Sequence, residues 1–163
     1  MASDGFAIYQ ATNPNEFNAA KDLFLEYQKT LGFDLEFQNF AKELDQMDVQ
    51  YSSPNGALFL VDHNKNGSVA CAGLRRIDNK VAELKRMYVK EAFRGNQLGK
   101  RLLDACLDKA RTLGYEKVRL DSIPTMKRAI SLYRKVGFYE IPAYRFNPIE
   151  GTIYMQMYLE LGN

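Results

Sequence analysis

The stretch from residue 81 to residue 121 contains two strand-like segments, with one long helix-like segment between them. "VAELKRMYV" (Val81–Val89) and "KVRLD" (Lys117–Asp121) have the length and composition of strands. Between them, apolar residues recur every three or four positions until Gly114, at Leu98, Leu102, Leu103, Cys106, Leu107, Ala110 and Leu113. Two strands joined by a crossover helix are most simply parallel neighbours. We therefore expect a sheet that contains at least one parallel pair.

The first of these strands shifts its apolar phase by one residue. Ala82 and Leu84 share one face, and strict alternation would continue at Arg86, but the apolar positions move to Met87 and Val89. Such a shift is typical of a β-bulge, which bends a strand away from its neighbour. We expect unpaired main-chain groups near residues 87–89.

The rest of the chain combines further helix and strand patterns. Asn13 and Pro14 begin a helix that Gly32 ends, and a second helix is expected from the spacing of Phe37, Phe40, Ala41, Leu44 and Met47. Strands are expected at 6–11, 57–61, 68–76, near 138–141 and at 153–161, and a helix at 126–135. Residues 57–89 then form an antiparallel meander, and the chain as a whole an α/β fold.

Composition limits the class of protein. With 163 residues, 46% hydrophobic and 26% charged, the chain is expected to form a single domain over residues 1–163. No stretch approaches the roughly 18 apolar residues of a membrane helix, so we expect a soluble, cytoplasmic protein without a membrane partner. Cys71 and Cys106 lie in apolar stretches and are expected to be reduced core residues. No Cys or His spacing predicts a metal site, and His63, the single histidine, lies in a polar turn.

Charge is distributed unevenly along the chain. Residues 33–56 contain five acidic residues and one basic residue, whereas residues 85–111 contain eight basic and three acidic residues. One end of the molecule is therefore expected to favour cations and another anions. Two solvated helix faces would explain the same pattern.

The stretch "EAFRGNQLGKRLL" (residues 91–103) leads from the bulged strand into the long helix. Main-chain amides at a helix N-terminus have no intrahelical acceptor and, with the helix dipole, favour anions. Gly95 and Gly99 allow close approach to the backbone, and Arg94 can contact a phosphate. The glycine spacing fits neither a Walker loop nor a dinucleotide fingerprint. An ordinary glycine-bearing loop with a solvated arginine is the alternative interpretation.

The stretch "AISLYRKVGF" (residues 129–138) places a tyrosine on the next helix. Ala129 lies one turn before Tyr133 and leaves room beside the phenol. Ligands of α/β sheets bind at the carboxyl ends of strands, where this helix and the preceding one both start. Tyr133 is a candidate ligand contact, and a core tyrosine is the alternative.

These three stretches resemble the GNAT superfamily of acyl-CoA-dependent N-acyltransferases. The residues that carry the resemblance are "LKRMYV", "FRGNQLGKRLL" and "AISLYRKVGF", within a match from about Ala70 to Glu140. The resemblance implies a single-domain GNAT-like fold, with a mixed, mostly antiparallel twisted sheet of six to seven strands split at a β-bulge and about four helices. Gln97 departs from the family pattern, which has a glycine there. A side chain is tolerable at this position if it points to solvent and the backbone stays in an ordinary helical region, because the loop acts through main-chain amides.

The resemblance also implies a set of site residues. Acetyl-CoA would be the cosubstrate, with no metal, and its pyrophosphate and pantetheine would contact Met87, Tyr88, Val89, Arg94, Gly95, Asn96, Gln97, Leu98, Gly99, Lys100, Met126, Ala129 and Tyr133. Tyr133 would protonate the leaving thiolate as a catalytic residue. Glu83 would be the catalytic base, because the family often has a carboxylate on this strand; a surface carboxylate paired with Lys85 or Arg76 is the alternative.

The expected activity is acetyl transfer to a primary amine of a small molecule, amino-acid-like or a polyamine, or of a peptide, by direct attack in a ternary complex. Arg75, Arg76, Tyr144 and Arg145 could face the acidic segment 33–56, and together they suggest an amino-acid-like acceptor. A non-catalytic acyl-CoA sensor with the same fold is the alternative function. Cofactor phosphates explain the basic cluster more economically than RNA does, so no nucleic acid is expected; a homodimer is left open.

Overall fold

The fold is built on one seven-stranded sheet. A computed structural model describes residues 4–160, except for the side chain of Phe37. The strands, β1 (Phe6–Gln10), β2 (Ala57–His63), β3 (Gly67–Arg76), β4 (Val81–Val89), β5 (Lys117–Ser122), β6 (Tyr139–Ile141) and β7 (Ile153–Tyr158), lie in the order β1-β2-β3-β4-β5-β7-β6. All neighbours are antiparallel except β4 and β5, which are parallel. The predicted α/β class and the predicted parallel pair are confirmed.

Helices cover both faces of this sheet. They are α1 (Pro14–Leu31), α2 (Phe40–Asp45), α3 (Met47–Gln50), α4 (Leu98–Thr112) and α5 (Lys127–Val136). One core contains the apolar side of α4 and part of α5, and the other contains buried residues of α1, α2 and α3. Cys71 and Cys106 are buried free thiols, one in each core, as predicted. Over residues 4–160, no helix combines the length and apolarity needed to span a bilayer.

The prediction of a single second helix, which was based on apolar spacing, is wrong. The segment divides into a 3-10 helix, Glu36–Gln38, followed by α2 and α3. Asn39 takes a left-handed backbone conformation, with φ 56°, which interrupts any continuous α-helix. The buried positions of α2 and α3 are Phe40, Glu43 and Met47, so a carboxylate takes a place where the periodicity suggested an apolar residue.

The predicted bulge lies in β4. Cys71 pairs with Tyr88 and Gly73 with Lys85, so two residues of β4 face Ala72 alone. Those two residues are Arg86, whose φ is 58°, and Met87. Because of the extra residue, β4 directs two successive cationic side chains toward α2 and its neighbours.

A buried ion pair holds the bulge to α2. The Arg86 guanidinium donates from Nε to Oε2 of Glu43 at 3.0 Å and from Nη2 to Oε1 at 2.8 Å. The Tyr51 hydroxyl donates to the same carboxylate at 2.8 Å. Burial alone would raise the pKa of Glu43, but the hydrogen bonds and charge of Arg86 outweigh burial and lower it. The bidentate pair therefore fixes where the bulge forms.

Beyond the bulge, β4 separates from β5. Parallel pairing is confined to Val81 with Lys117, Ala82 with Val118 and Glu83 with Arg119. β4 continues to Val89 and β5 to Ser122, and the helices that follow both strands begin beside the gap. The sheet therefore opens where the ligand was expected.

Gln97 differs from the expected backbone conformation. Its side chain is exposed, as predicted, but its φ of 58° and ψ of 25° lie in the left-handed region. It precedes α4 without capping the helix through its side chain. A residue with a Cβ is strained in this region by about 1–2 kcal/mol, whereas glycine is not. Gln97 thus occupies a position that the backbone suits to glycine.

We predict that Gln97→Gly increases the free energy of unfolding by about 1 kcal/mol, since it removes the Cβ from a left-handed position. Gln97→Ala keeps the Cβ and serves as the matched control, with little or no gain. Denaturant unfolding of the three proteins measures the difference. Equal stability of the glycine and alanine variants would contradict strain at this residue.

Candidate active site

The N-terminus of α4 presents main-chain donors that have no protein acceptor. Within residues 4–160, no hydrogen bond is recorded for the amides of Leu98, Gly99 and Lys100, and the first intrahelical bond runs from the Arg101 amide to the Gln97 carbonyl at 3.1 Å. The first turn of α4 contains no acidic residue. The first turn of α4 itself therefore supplies no carboxylate to compensate the positive end of the helix dipole.

The loop before α4 is folded tightly onto the end of β4. Gly95 has a φ of 90°, a conformation that favours glycine. The Arg94 Nε donates to the Val89 carbonyl at 3.1 Å, and the Asn96 side-chain amide donates to the Phe93 carbonyl at 2.9 Å. These bonds keep the cationic Arg94 close to the gap in the sheet.

A cleft of about 1080 Å³ lies at the gap between β4 and β5. Most of the predicted cofactor residues line it: Met87, Tyr88, Val89, Arg94, Gly95, Gln97, Leu98, Gly99, Lys100, Met126 and Ala129. Asn96 and Tyr133 are not among the lining residues. Sequence reasoning missed a further set, Tyr27, Thr30, Thr125, Lys127, Arg128, Leu132, Lys135 and Val136. The cleft thus uses α1 and more of α5 than the motifs indicated.

The cations around this cleft come from two segments. Arg94 and Lys100 belong to the basic stretch 85–111, while Lys127, Arg128 and Lys135 belong to α5. Other members of the basic stretch lie elsewhere: Lys85 and Arg86 contact Gln38 and Glu43, and Arg101 pairs with Asp4 at 3.0 Å. Only part of the cluster can therefore serve an anion in the cleft.

Tyr133 lies beneath the wall of the cleft. Its neighbours Ala129 and Leu132 on α5 line the cleft, while Tyr133 is 6% exposed and its ring lies 5.7 Å from that of Phe138. In the described part of the chain no hydrogen bond is recorded for its hydroxyl. Burial raises the pKa of Tyr133, and so the phenol keeps its proton at neutral pH.

Glu83 is buried and fully engaged, rather than a surface carboxylate. Oε1 accepts from Arg75 Nε at 3.1 Å, and Oε2 accepts from the Tyr144 hydroxyl at 2.6 Å and from Arg145. Burial would raise the pKa of Glu83, but the charges of Lys85, Arg145 and Arg75 outweigh it and lower the pKa to about 2. Such a carboxylate is a weak proton acceptor near pH 7. Its surroundings therefore disfavour the role of base.

A second cavity, of about 510 Å³, lies beside these partners of Glu83. Arg75, Tyr144 and Arg145 line it, as the charge pattern suggested, together with Gln38, Asn39, Lys42, Glu43, Gln46, Gln50, Ile77 and Phe146. Arg76 is exposed and bonds to Asn79. Glu43 is the one acidic residue of segment 33–56 in this lining.

Guanidinium groups outnumber carboxylates around this second cavity. Glu43 pairs with Arg86 and approaches Arg75 at 3.6 Å, while Glu83 pairs with Arg75 and Arg145. Three cations thus share two anions. The Nε of Arg145 is buried and has no hydrogen-bond partner among the described residues. The arrangement favours a ligand with a negative group.

A polar bridge that sequence reasoning missed crosses the gap between β4 and β5. Lys85 Nζ donates to Gln38 Oε1 at 2.9 Å, and Gln38 Nε2 lies 3.5 Å from an oxygen of Asp121 on β5. Lys85 is 4% exposed. Two successive cations inside a predicted strand were the available signal, but they were attributed to a phosphate site.

The family of the chain follows from comparison with known proteins. The family model described as Acetyltransferase (GNAT) family matches residues 17–138, more than half of the chain. The chain belongs to the GNAT acetyltransferase family. It is an acyl-CoA-dependent acetyltransferase, and the cleft at the split sheet lies where the motifs placed the cofactor.

Related proteins are similar to this chain over nearly its whole length. An uncharacterized N-acetyltransferase of Schizosaccharomyces pombe is 29% identical over 158 residues, which cover 96% of this chain and 97% of that protein. A GNAT-family acetyltransferase of Staphylococcus aureus has a TM-score of 0.79 at 23% identity, covering 95% of this chain and 99% of that one. A GNAT-family acetyltransferase of Elizabethkingia anophelis with acetyl-CoA bound has a TM-score of 0.66 at 23% identity, covering 96% and 100%. The two structures share the GNAT fold with this chain.

No set of metal ligands is evident among the described residues. Across residues 4–160, no group of three or more His, Cys, Asp or Glu side chains is arranged to hold an ion.

Proposed function

We propose that this GNAT acetyltransferase transfers an acetyl group from acetyl-CoA to the primary amine of a small molecule, by direct attack in a ternary complex. The observation that carries the proposal is the pair of cavities along β4. Met87, Tyr88 and Val89 line the large cleft, and Glu83 bonds to residues of the smaller cavity. A donor and an acceptor can therefore approach the same strand from its two ends.

The residues of the large cleft fit acetyl-CoA. The amides of Leu98, Gly99 and Lys100 are free to donate to pyrophosphate oxygens, and Arg94 adds charge. β4 has no recorded β5 partner after Glu83 among the described residues, so its main chain at Met87 and Val89 can bond to the pantetheine arm and the thioester carbonyl. The volume of about 1080 Å³ is ample for a large ligand.

Tyr133 is the proposed acid for the leaving thiolate. Its raised pKa keeps the phenol protonated, and a thiolate with a pKa of roughly 8.5 can take the proton as the carbon–sulfur bond breaks. Tyr133 is 6% exposed, so contact with the thiolate requires access past Ala129 and Leu132.

The smaller cavity favours an acceptor that carries a carboxylate as well as an amine. Three guanidinium groups share two carboxylates there, and Arg145 is one of the residues that line the cavity. Lys42 adds a cation to the lining. A polyamine would bring further positive charge to this surface, whereas an amino-acid-like molecule would supply the missing negative charge.

The cofactor assignment predicts opposite effects of Gly99→Ala on stability and affinity. A Cβ at residue 99 would meet Leu132 at 3.7 Å and Met87 at 3.9 Å, which are ordinary contacts, and alanine stabilises helices by up to about 1 kcal/mol relative to glycine. The fold should therefore tolerate the change, while acetyl-CoA binding weakens about tenfold because the methyl group blocks approach to the amide. Calorimetry and denaturant unfolding measure the two effects. Unchanged affinity would refute the contact with Gly99.

The catalytic assignment predicts that Tyr133→Phe lowers kcat by about 100-fold without changing acetyl-CoA affinity, since phenylalanine fills the same buried space but cannot donate a proton. Product mass and thiol release are measured with a mixed amine library. Tyr139→Phe, a change in an exposed tyrosine of β6, is the matched control. Undiminished turnover in Tyr133→Phe would remove this phenol from the mechanism. Acetyl-CoA binding without turnover of any amine would favour the sensor function.

The acceptor assignment predicts a preference for amines that carry a carboxylate. Amino acids should have kcat/KM values at least tenfold above those of their carboxamides, because the amide lacks the charge that Arg145 would bind. Arg145→Gln should remove most of this difference by raising KM for the acid. Steady-state kinetics with matched acid and amide pairs provide the test. Preference for a polyamine or a peptide over every amino acid would contradict the assignment.

A further inference from the structure

Lys85 lies between the two cavities on the strand that serves both. Two residues before it, Glu83 bonds to Arg75, Tyr144 and Arg145 of the smaller cavity, and two residues after it, Met87 lines the large cleft. The interval from Glu83 to Lys85 is roughly 7 Å along the strand, and the bulge lies between Lys85 and Met87. Among the described residues Lys85 is not itself part of either lining, but Gln38, which accepts its hydrogen bond, lines the smaller cavity.

The hydrogen bonding of Lys85 suits an amine better than an ammonium group. The side chain is 4% exposed, and its one recorded hydrogen bond among the described residues goes to Gln38 Oε1 at 2.9 Å. A buried ammonium has three N–H donors to satisfy, whereas the neutral amine keeps a lone pair that can accept. Gln38 is in turn held near Asp121, which fixes the direction from which Lys85 is approached.

Charged groups surround Lys85 on every element packed against it. They are Arg86 and Glu83 on β4, Arg75 on β3, Asp121 on β5 and Glu43 on α2. Burial and then the charge of Arg86 lower the pKa of Lys85 to about 7, against the opposing effects of Glu83 and Asp121. An amine with a pKa near the working pH is well suited to general base catalysis.

The reaction needs such a base, and the two nearby glutamates are engaged. An alkylamine with a pKa of roughly 10.4 is almost entirely protonated at pH 7 and cannot attack until it loses a proton. Glu83 and Glu43 are buried in guanidinium pairs, and their pKa values are lowered. Of these three neighbouring groups, Lys85 is the one whose protonation can change near neutral pH, because its pKa is lowered to about 7.

We propose that Lys85 is the catalytic base, which accepts a proton from the ammonium group of the acceptor. This role rests on the proposed acetyl transfer. The neutral Nζ of Lys85 takes one proton from R–NH₃⁺ and later releases it to solvent. The freed amine forms a bond to the acetyl carbon, and the bond between that carbon and sulfur breaks. Tyr133 protonates the thiolate and is reprotonated by the second proton of the attacking nitrogen, so that amide, thiol and one released proton balance the reaction.

Lys85→Met tests the role, because methionine fills the buried space without a proton acceptor. At pH 7 we expect kcat to fall about 100-fold or more with an alkylamine acceptor, while acetyl-CoA affinity stays within threefold. In the wild-type protein kcat should rise with pH through an inflection near 7. In the variant the inflection should move toward the pKa of the free amine, roughly 10.4. Lys80→Met, which changes an exposed lysine just before β4, should behave as wild type.

The basicity of the acceptor gives a second comparison. An acceptor whose amine is already neutral at pH 7 needs no base, so Lys85→Met should reduce its kcat much less than that of an alkylamine. A residue with a merely structural role would reduce both alike. Equal losses for the two acceptors, or a wild-type inflection near 7 retained in the variant, would overturn the proposal.

Titration of Lys85 in the wild-type protein keeps the proposal testable even if the variant folds poorly. NMR of isotopically labelled lysine side chains, with Lys85 assigned through Lys85→Arg, should give a midpoint near 7 for this residue. A Lys85 midpoint above 9 would overturn the role. If the wild-type protein acetylates no amine, the proposed function fails, whereas turnover insensitive to Lys85 contradicts the base alone.

Discussion

The buried pair of Glu43 and Arg86 is the interaction on which the architecture of the site depends. It joins α2 to the bulged residue of β4, whose φ of 58° is strained for a side chain with a Cβ. A buried ion pair contributes little net stability, but loss of one partner leaves an uncompensated charge at a cost of about 3–5 kcal/mol. The pair therefore acts chiefly on register, because a bulge at another position would separate the Arg86 guanidinium from Glu43.

The position of the bulge decides which side chains meet at the gap in the sheet. Before the bulge, Glu83 and Lys85 face the side of α2, and Arg86 faces the same side because of the extra residue. After it, Met87 packs against the opposite core and lines the large cleft. A regular strand would put Arg86 into the apolar core. One extra residue thus allows a single strand to serve two cavities of different character.

The sequence predicted those parts of the fold that depend on local periodicity. The parallel pair, the bulge and the glycine-bearing start of α4 follow from spacing alone, and the structure confirms them. The second helix was wrong because apolar spacing cannot reveal that Asn39 is left-handed or that Glu43 is buried against a distant guanidinium. Gln97 was assigned an ordinary backbone because the sequence does not show how the loop must turn into α4.

Only part of the candidate site could be predicted from the sequence. Residues that follow one another in the loop and α4 were found from the motif, but Lys85 and Gln38 meet across 47 positions of sequence, a contact that no local pattern encodes. Charge counting attributed Lys85 and Arg86 to phosphate, since it cannot tell which face of a strand a residue occupies. The burial of Glu83 was missed for the same reason, because its partners Tyr144 and Arg145 are 61 and 62 residues away in sequence.

The segment that joins β6 to β7 lines the smaller cavity, and it is held in place differently from the other residues of that lining. Tyr144 and Arg145 bond to Glu83, and the Tyr154 hydroxyl donates to the Arg145 carbonyl at 2.8 Å. These are side-chain tethers, whereas the large cleft is shaped by the main chain of β4 and α4. Substitutions between residues 142 and 152 can alter the wall of the smaller cavity without disturbing sheet pairing. The shape and charge of that cavity can therefore change while the large cleft keeps its geometry.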